Sequence, residues 1–155
     1  MKTIIIYAST HHGNTKKVVD AIAKEYGVET LDATKEKEKD LSSYDLIGFA
    51  SGIYAGKFHQ SIQQFAKNNL PANKKIFFLT TSAMNKDFSA SMKDALKGKD
   101  AQILGNYSCF GYNTFGPFKL IGGTSKGHPD ENDIQNALAF YQNISKTSER
   151  LQDII

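Results

Sequence analysis

Lys2-Thr3-Ile4-Ile5-Ile6-Tyr7-Ala8-Ser9-Thr10-His11-His12-Gly13-Asn14-Thr15 is the stretch that decides the fold. Its first half is apolar and β-branched almost without interruption, as a strand buried on both faces must be. Its second half changes character at once: hydroxyls, two histidines and a glycine lead into Asn14-Thr15. Beyond that turn, Val18, Ala21, Ile22 and Tyr26 fall on one stripe at helical spacing, and Gly27 ends the pattern. A buried strand, a small polar turn and an amphipathic helix make the first part of a strand–helix–strand crossover.

The alternation continues along the chain. Residues 28–32, 45–51, 75–81 and 102–111 read as four further strands. Residues 60–69 carry Ile62, Phe65 and Ala66 at helical spacing, ended by Leu70-Pro71. Residues 88–97 read as a helix closed by Gly98, and residues 130–143 as a last helix, with Ile134, Ala137, Leu138 and Tyr141 on its apolar face and Asp130 to Asn132 as its cap. Residues 35–40 alternate in charge sign and read as a solvated loop or ragged helix. The expectation is an α/β domain over residues 1–155, with helices on both faces of a five-stranded parallel sheet. A closed barrel needs ~250 residues. Residues 112–129 form one long irregular stretch, of the kind that often carries function.

Composition narrows the functional classes. With 155 residues, 40% hydrophobic and 23% charged, the chain can bury a core and is not disordered. Cys109 is the single cysteine, which excludes an internal disulfide and a thiolate cluster for zinc or iron–sulfur. A reducing compartment, the cytoplasm, is expected, and Cys109 itself reads as a structural thiol in a strand. The apolar run at the start is too short for a signal-peptide core, and no run approaches the ~20 residues that cross a membrane. Net charge is +3, without a basic stripe interleaved with aromatics. Neither nucleic acid nor membrane is expected as a partner.

In open α/β sheets ligands bind outside the carboxyl ends of the strands. Residues 9–15, after the first strand, combine hydroxyls, a glycine and a helix start, which together suit a phosphate monoester. They suit a plain turn and helix cap equally well. Neither Gly-Lys-Ser/Thr nor GxGxxG is present. After the third strand, Gly52 and Gly56 bracket Ile53-Tyr54, a surface on which a flat aromatic ligand could stack or which could simply cover the sheet end. Thr81-Ser82-Ala83-Met84 follows the fourth strand, and Gly111-Tyr112-Asn113-Thr114-Phe115 the fifth.

In this order, the segments resemble the flavodoxin family. Tyr7-Ala8-Ser9-Thr10 with Gly13-Asn14-Thr15 is similar to the family's phosphate loop, one residue longer, with His11-His12 where a single residue is common. Ser51-Gly52-Ile53-Tyr54 is similar to its second flavin loop. Gly116-Pro117-Phe118-Lys119 and Lys126-Gly127-His128-Pro129 resemble a subgroup that also carries His-His in the first loop. The resemblance covers essentially the whole chain. It implies a flavodoxin-like three-layer, doubly wound sheet of order 2-1-3-4-5 and an FMN cofactor.

By the resemblance, Ser9, Thr10, His11, Asn14 and Thr15 would hold the FMN phosphate. Ser51, Gly52, Ile53 and Tyr54 would line one side of the ring, with Tyr54 stacked on it. Ser82, Ala83 and Met84 would line another part, Thr81 would sit nearer the ribityl chain, and Tyr112 or Phe115 would cover the remaining face. Gly56 would let the 54–56 backbone rotate a carbonyl toward flavin N5. The implied activity is electron shuttling between transiently docked redox proteins, by a monomer with no catalytic residue of its own. An FMN-dependent NAD(P)H or quinone reductase on the same scaffold is the alternative. A flavin-free receiver-type module would need acids at the strand ends, and the third strand ends in Ala50-Ser51. The family is typically acidic and this chain is not. Lys57, Lys119 and Lys126 near the expected rim would suit an acidic partner or a nucleotide phosphate.

Overall fold

Ile4, Ile5 and Ile6 are each wholly buried, and strand alternation sends them into two separate cores. The computed structural model describes residues 1–84, 86–112 and 123–154. Strands β1 (Thr3–Ala8), β2 (Glu29–Asp32), β3 (Leu46–Tyr54), β4 (Lys57–Phe58), β5 (Lys75–Ser82) and β6 (Gln102–Phe110) alternate with helices α1 (Asn14–Tyr26), α2 (Gln60–Asn69), α3 (Lys93–Leu96) and α4 (Glu131–Asp153). A 3₁₀ turn, Ser89–Met92, leads into α3.

The strands lie in the order β2-β1-β3-β5-β6, and these pairs are parallel. This is the expected doubly wound arrangement with one addition. β4 pairs antiparallel with the end of β3, making a sixth strand, Tyr54 opposite Lys57. Sequence reading left β4 in a loop because two residues carry no periodicity.

The two faces have distinct cores. Ile4, Ile6, Ile47, Phe49 and Phe78 pack with Ile62 and Phe65 of α2 and with Met92 and Ala95. Ile5, Leu46, Ala50, Phe77 and Leu79 pack with Val18, Val19 and Ile22 of α1 and with Ile134, Ala137, Tyr141 and Ile144 of α4. Helix α1 therefore covers one face and α2 the other. Among the described residues, no helix is long and apolar enough to cross a membrane.

Two helices differ from expectation. The segment read as 88–97 is a 3₁₀ turn followed by only four α-helical residues. α4 runs to Asp153, ten residues past the expected end. Ile134, Ala137, Tyr141, Ile144 and Ser148 hold its buried stripe, and the polar residues around Ser148 conceal that stripe in the sequence. Its start is as expected: Asp130 is the N-cap, and Asp130 and Asp133 form a reciprocal capping box.

Two positions make the packing testable. A Cβ on Gly48 would lie 2.4 Å from Cζ of Phe77, whose ring is fully buried. Gly48→Ala is expected to lose about 1–3 kcal/mol in urea unfolding, the usual range for overpacking a core. His59 caps α2 through Nδ1, which accepts from Ser61 N at 3.1 Å and so needs a neutral ring. Burial, and secondarily the Lys37 charge, pull the His59 pKa below 6.5, against a smaller opposing pull from Asp32. This contribution to stability is complete above the unfolded value near 6.5 and is lost as pH falls through the lower folded value. His59→Ser keeps a capping oxygen, and its melting temperature should fall less below pH 6.5 than the wild type's.

Candidate functional site

From β1 the chain crosses over α1 to β2 on one side, while β3 lies on the other and continues over α2 to β5. The strand order thus reverses between the carboxyl ends of β1 and β3, and a crevice must open there. A cavity of about 450 Å³ lies at this point, a normal size for a small-molecule site. It is lined by Ser9, Thr10, His11, Asn14 and Thr15 after β1, Gly52, Ile53, Tyr54 and Ala55 at the β3 end, Thr81, Ser82 and Ala83 after β5, and Gly111 and Tyr112 after β6.

The β1 side ends in an open helix start. His12 and Gly13 both have left-handed backbone, φ 52° and 67°. Gly13 is the N-cap of α1 and offers no side chain of its own, and the first turn holds no acidic residue. The positive end of the helix is therefore not neutralised by the protein's own side chains. Ser9 Oγ accepts from Lys16 N at 3.1 Å, which ties the loop to the first turn. The buried Thr15 hydroxyl meets Thr81 Oγ1 at 2.9 Å, joining α1 to β5. Asn14 Nδ2 donates to the Tyr112 carbonyl at 2.8 Å, and a Cβ on Gly111 would come within 2.7 Å of that nitrogen.

The opposite wall is the β3–β4 hairpin. Ala55 and Gly56, its two tip residues, have φ 50° and 77°, as a type I′ turn requires. Alanine takes this conformation at a cost of about 1–2 kcal/mol. Tyr54 reaches across the mouth: its hydroxyl shares a 2.5 Å hydrogen bond with Thr10 Oγ1. Its ring stacks on His11 at 5.9 Å and meets His59 edge-on at 5.1 Å. A Cβ on Gly52 would lie 3.1 Å from the Tyr54 hydroxyl, so Gly52 makes room for the ring.

Twelve of the expected site residues line this one cavity. Three others stand apart. Ser51 is wholly buried because β3 continues through Tyr54, and its hydroxyl accepts from His59 N and donates to the Gly52 carbonyl. Gly56 sits at the hairpin tip outside the lining, and Met84 is turned outward, 56% exposed, by a tight turn in which Ser82 Oγ accepts from Met84 N. Phe115 and the 116–119 motif lie outside the described residues. Ala55 and Gly111 were not foreseen. Ala55 stood between the glycines already noted, and Gly111 stood directly after the fifth strand.

Other singled-out residues serve the framework. The Cys109 thiol is pushed up to about 12, chiefly by burial and then by the Asp133 charge, so it is an inert core thiol. His128 Nδ1 lies 2.6 Å from Asp133 Oδ2, and its carbonyl accepts from Tyr112 N at 3.0 Å. It fastens the segment before α4 to the end of β6.

Among the described lining residues there is no carboxylate, lysine or cysteine. The arrangement offers hydroxyls, an amide and a helix start at one end and Ile53, Tyr54, Ala55 and Ala83 along the walls. It suits a ligand with an anionic end and an apolar body.

Known proteins agree with this architecture. Residues 4–112 match the family model described as the flavodoxin domain. An uncharacterized protein of Methanocaldococcus jannaschii is 42% identical over 149 residues, covering 94% of this chain and 99% of its own. Among solved structures, a flavodoxin from the domain Archaea superposes with a TM-score of 0.68 at 16% identity, covering 96% of this chain and 99% of its own. A flavoprotein in complex with FMN from Lactobacillus acidophilus gives 0.55 at 19% identity, covering 69% of this chain and 92% of its own. The family match spans well over half of the chain, and on that basis the chain belongs to the flavodoxin-domain family.

Proposed function

We propose that this protein binds one FMN in the cavity between β1 and β3 and serves as an electron carrier between redox proteins. One observation carries the reading: a helix start with glycine at its N-cap and no acid in its first turn opens into a cavity walled by Tyr54 and small residues. That shape suits a phosphate at one end and a flat ring at the other. The flavodoxin-domain match and the FMN complex of the L. acidophilus flavoprotein support the same ligand.

The residues divide the work. Ser9, Thr10, Asn14 and Thr15, with the first amides of α1, hold the phosphate, and His11 stands ready as a further donor. Thr81 and Ser82 face the sugar-alcohol chain. Gly52, Ile53, Tyr54 and Ala83 shield the ring from water, and Tyr112 closes the far side. When bound, FMN supplies reversible electron uptake, and the protein sets the potential. The left-handed Ala55-Gly56 tip lets the backbone turn a carbonyl toward the ring edge.

The carrier reading is preferred to a reductase because the described lining residues include no carboxylate, lysine or cysteine. Purified FMN-loaded protein should therefore not oxidise NADPH catalytically. Sustained turnover without an added partner would move the assignment to the reductase.

FMN added to the protein should remain bound through gel filtration, visible in the flavin absorption bands. Riboflavin, which lacks the phosphate, should bind about 100-fold more weakly, the equivalent of one or two charge-assisted hydrogen bonds. Equal affinity for the two would remove the phosphate from the argument. Tyr54→Leu should weaken FMN about tenfold through lost stacking, as read by recovery of flavin fluorescence.

A further inference from the structure

The surface around the cavity mouth has an unusual charge budget. Residues 9–17, 52–59, 82–88 and the described parts of 111–130 hold five lysines, Lys16, Lys17, Lys57, Lys86 and Lys126, against two aspartates, Asp87 and Asp130. Asp20, Asp32 and Asp133 stand just beyond these segments, so the charge of this end is set by which groups are left free rather than by their number. The remaining strand-end loop, residues 33–41, is neutral, with three lysines against three acids.

Not all these charges are available. Lys16 pairs with Asp20 at 2.5 Å, and Lys17 Nζ donates to the Pro129 carbonyl. Lys57 and Lys126 are exposed and make no ion pair among the described residues, and exposed Lys86 lies over the Phe88 ring at 5.3 Å. Carboxylates at this end are turned to internal bonds. Asp32 accepts from Thr34 N and Oγ1, and Asp87 from Ser89 N and Asn106 Nδ2. Asp130 and Asp133 are taken up in the α4 capping box.

Each of the three cations stands close in the chain to a segment that lines the mouth. Lys57 pairs with Tyr54 across the hairpin, Lys86 follows the Ser82–Met84 turn, and Lys126 precedes His128, which bonds Tyr112. The same segments expose Ala55, Gly56 and Met84, with Met84 a large, adaptable apolar side chain. An apolar centre with a rim of one charge sign is the layout of a transient docking face.

We infer that the Lys57–Lys86–Lys126 rim is the docking face for an acidic redox protein, whose carboxylates meet these lysines while Met84 and the hairpin tip make the apolar contact. The inference rests on the carrier reading for its purpose, and the rim's charge is measurable independently of it. A lysine rim steers an acidic partner and repels a basic one.

The test uses FMN-loaded protein and two probes: a plant-type [2Fe–2S] ferredoxin, which is acidic, and a cytochrome c, which is basic. Association rates are measured by stopped flow as salt is raised, with affinities from calorimetry. Ferredoxin should associate faster than cytochrome c at low salt and slow as salt is added. The combined variant Lys57→Glu, Lys86→Glu, Lys126→Glu should slow ferredoxin about tenfold or more and speed cytochrome c. Its FMN affinity should stay within about twofold of the wild type, since none of the three lines the cavity. A ferredoxin rate indifferent to salt and to the variant, or faster docking of cytochrome c to the wild type, overturns the inference. Failure to retain FMN instead overturns the carrier reading, and the binding comparison is then read on the protein alone.

Discussion

Burial of β1 from both sides is the constraint on which the rest of the structure depends. Each of its isoleucines gains about 1.5–3 kcal/mol by leaving water, and Ile5 needs cover on the opposite face from Ile4 and Ile6. One helix cannot supply both. The chain meets the demand by placing α1 on one face and α2 on the other, with β2 and β3 on opposite flanks of β1. The crevice is the geometric remainder of that solution. It opens where the two crossovers part, at the end of the most buried strand.

The site inherits its rigidity from the same elements. Thr15 to Thr81 ties a helix to a strand, and Asn14 to Tyr112 ties that helix to the end of the far strand. The hairpin is held from behind, where Phe58 N donates to Ser91 Oγ and Gln63 Nε2 of α2 donates to the Phe58 carbonyl, and in front, where Tyr54 ties it to the β1 loop through Thr10.

How much of this could be read in the residues follows from the range of each interaction. Strands β1, β3 and β5 were legible because burial on both faces writes an unbroken apolar run. The end of α4 was not, because only every third or fourth residue there is buried and Ser148 is polar. The loop after β1 was legible as a phosphate-type turn from its hydroxyls, its glycine and the following helix. Ser51 stands deeper than expected because the apolar run weakens before the strand itself ends, so a residue inside β3 looked like its last. Gly111 gave no local sign of its purpose: the need for a bare Cα arises from Asn14, distant along the chain and adjacent only once the sheet is formed. Composition gave the surplus of positive charge, and only the fold shows which lysines are left without an internal partner.

The open start of α1 also bears on how this sequence can drift. Main-chain amides are carried by every residue except proline, so a grip made largely of amides survives exchange of many of its side chains. The positions that cannot drift freely are those that shape the backbone: Gly13, held in a left-handed conformation, and His12 beside it, where any replacement must accept φ 52°. Tolerance at Gly13 and His12 is therefore set by backbone conformation rather than by chemical character, and the plain glycine should be among the least replaceable residues of the loop.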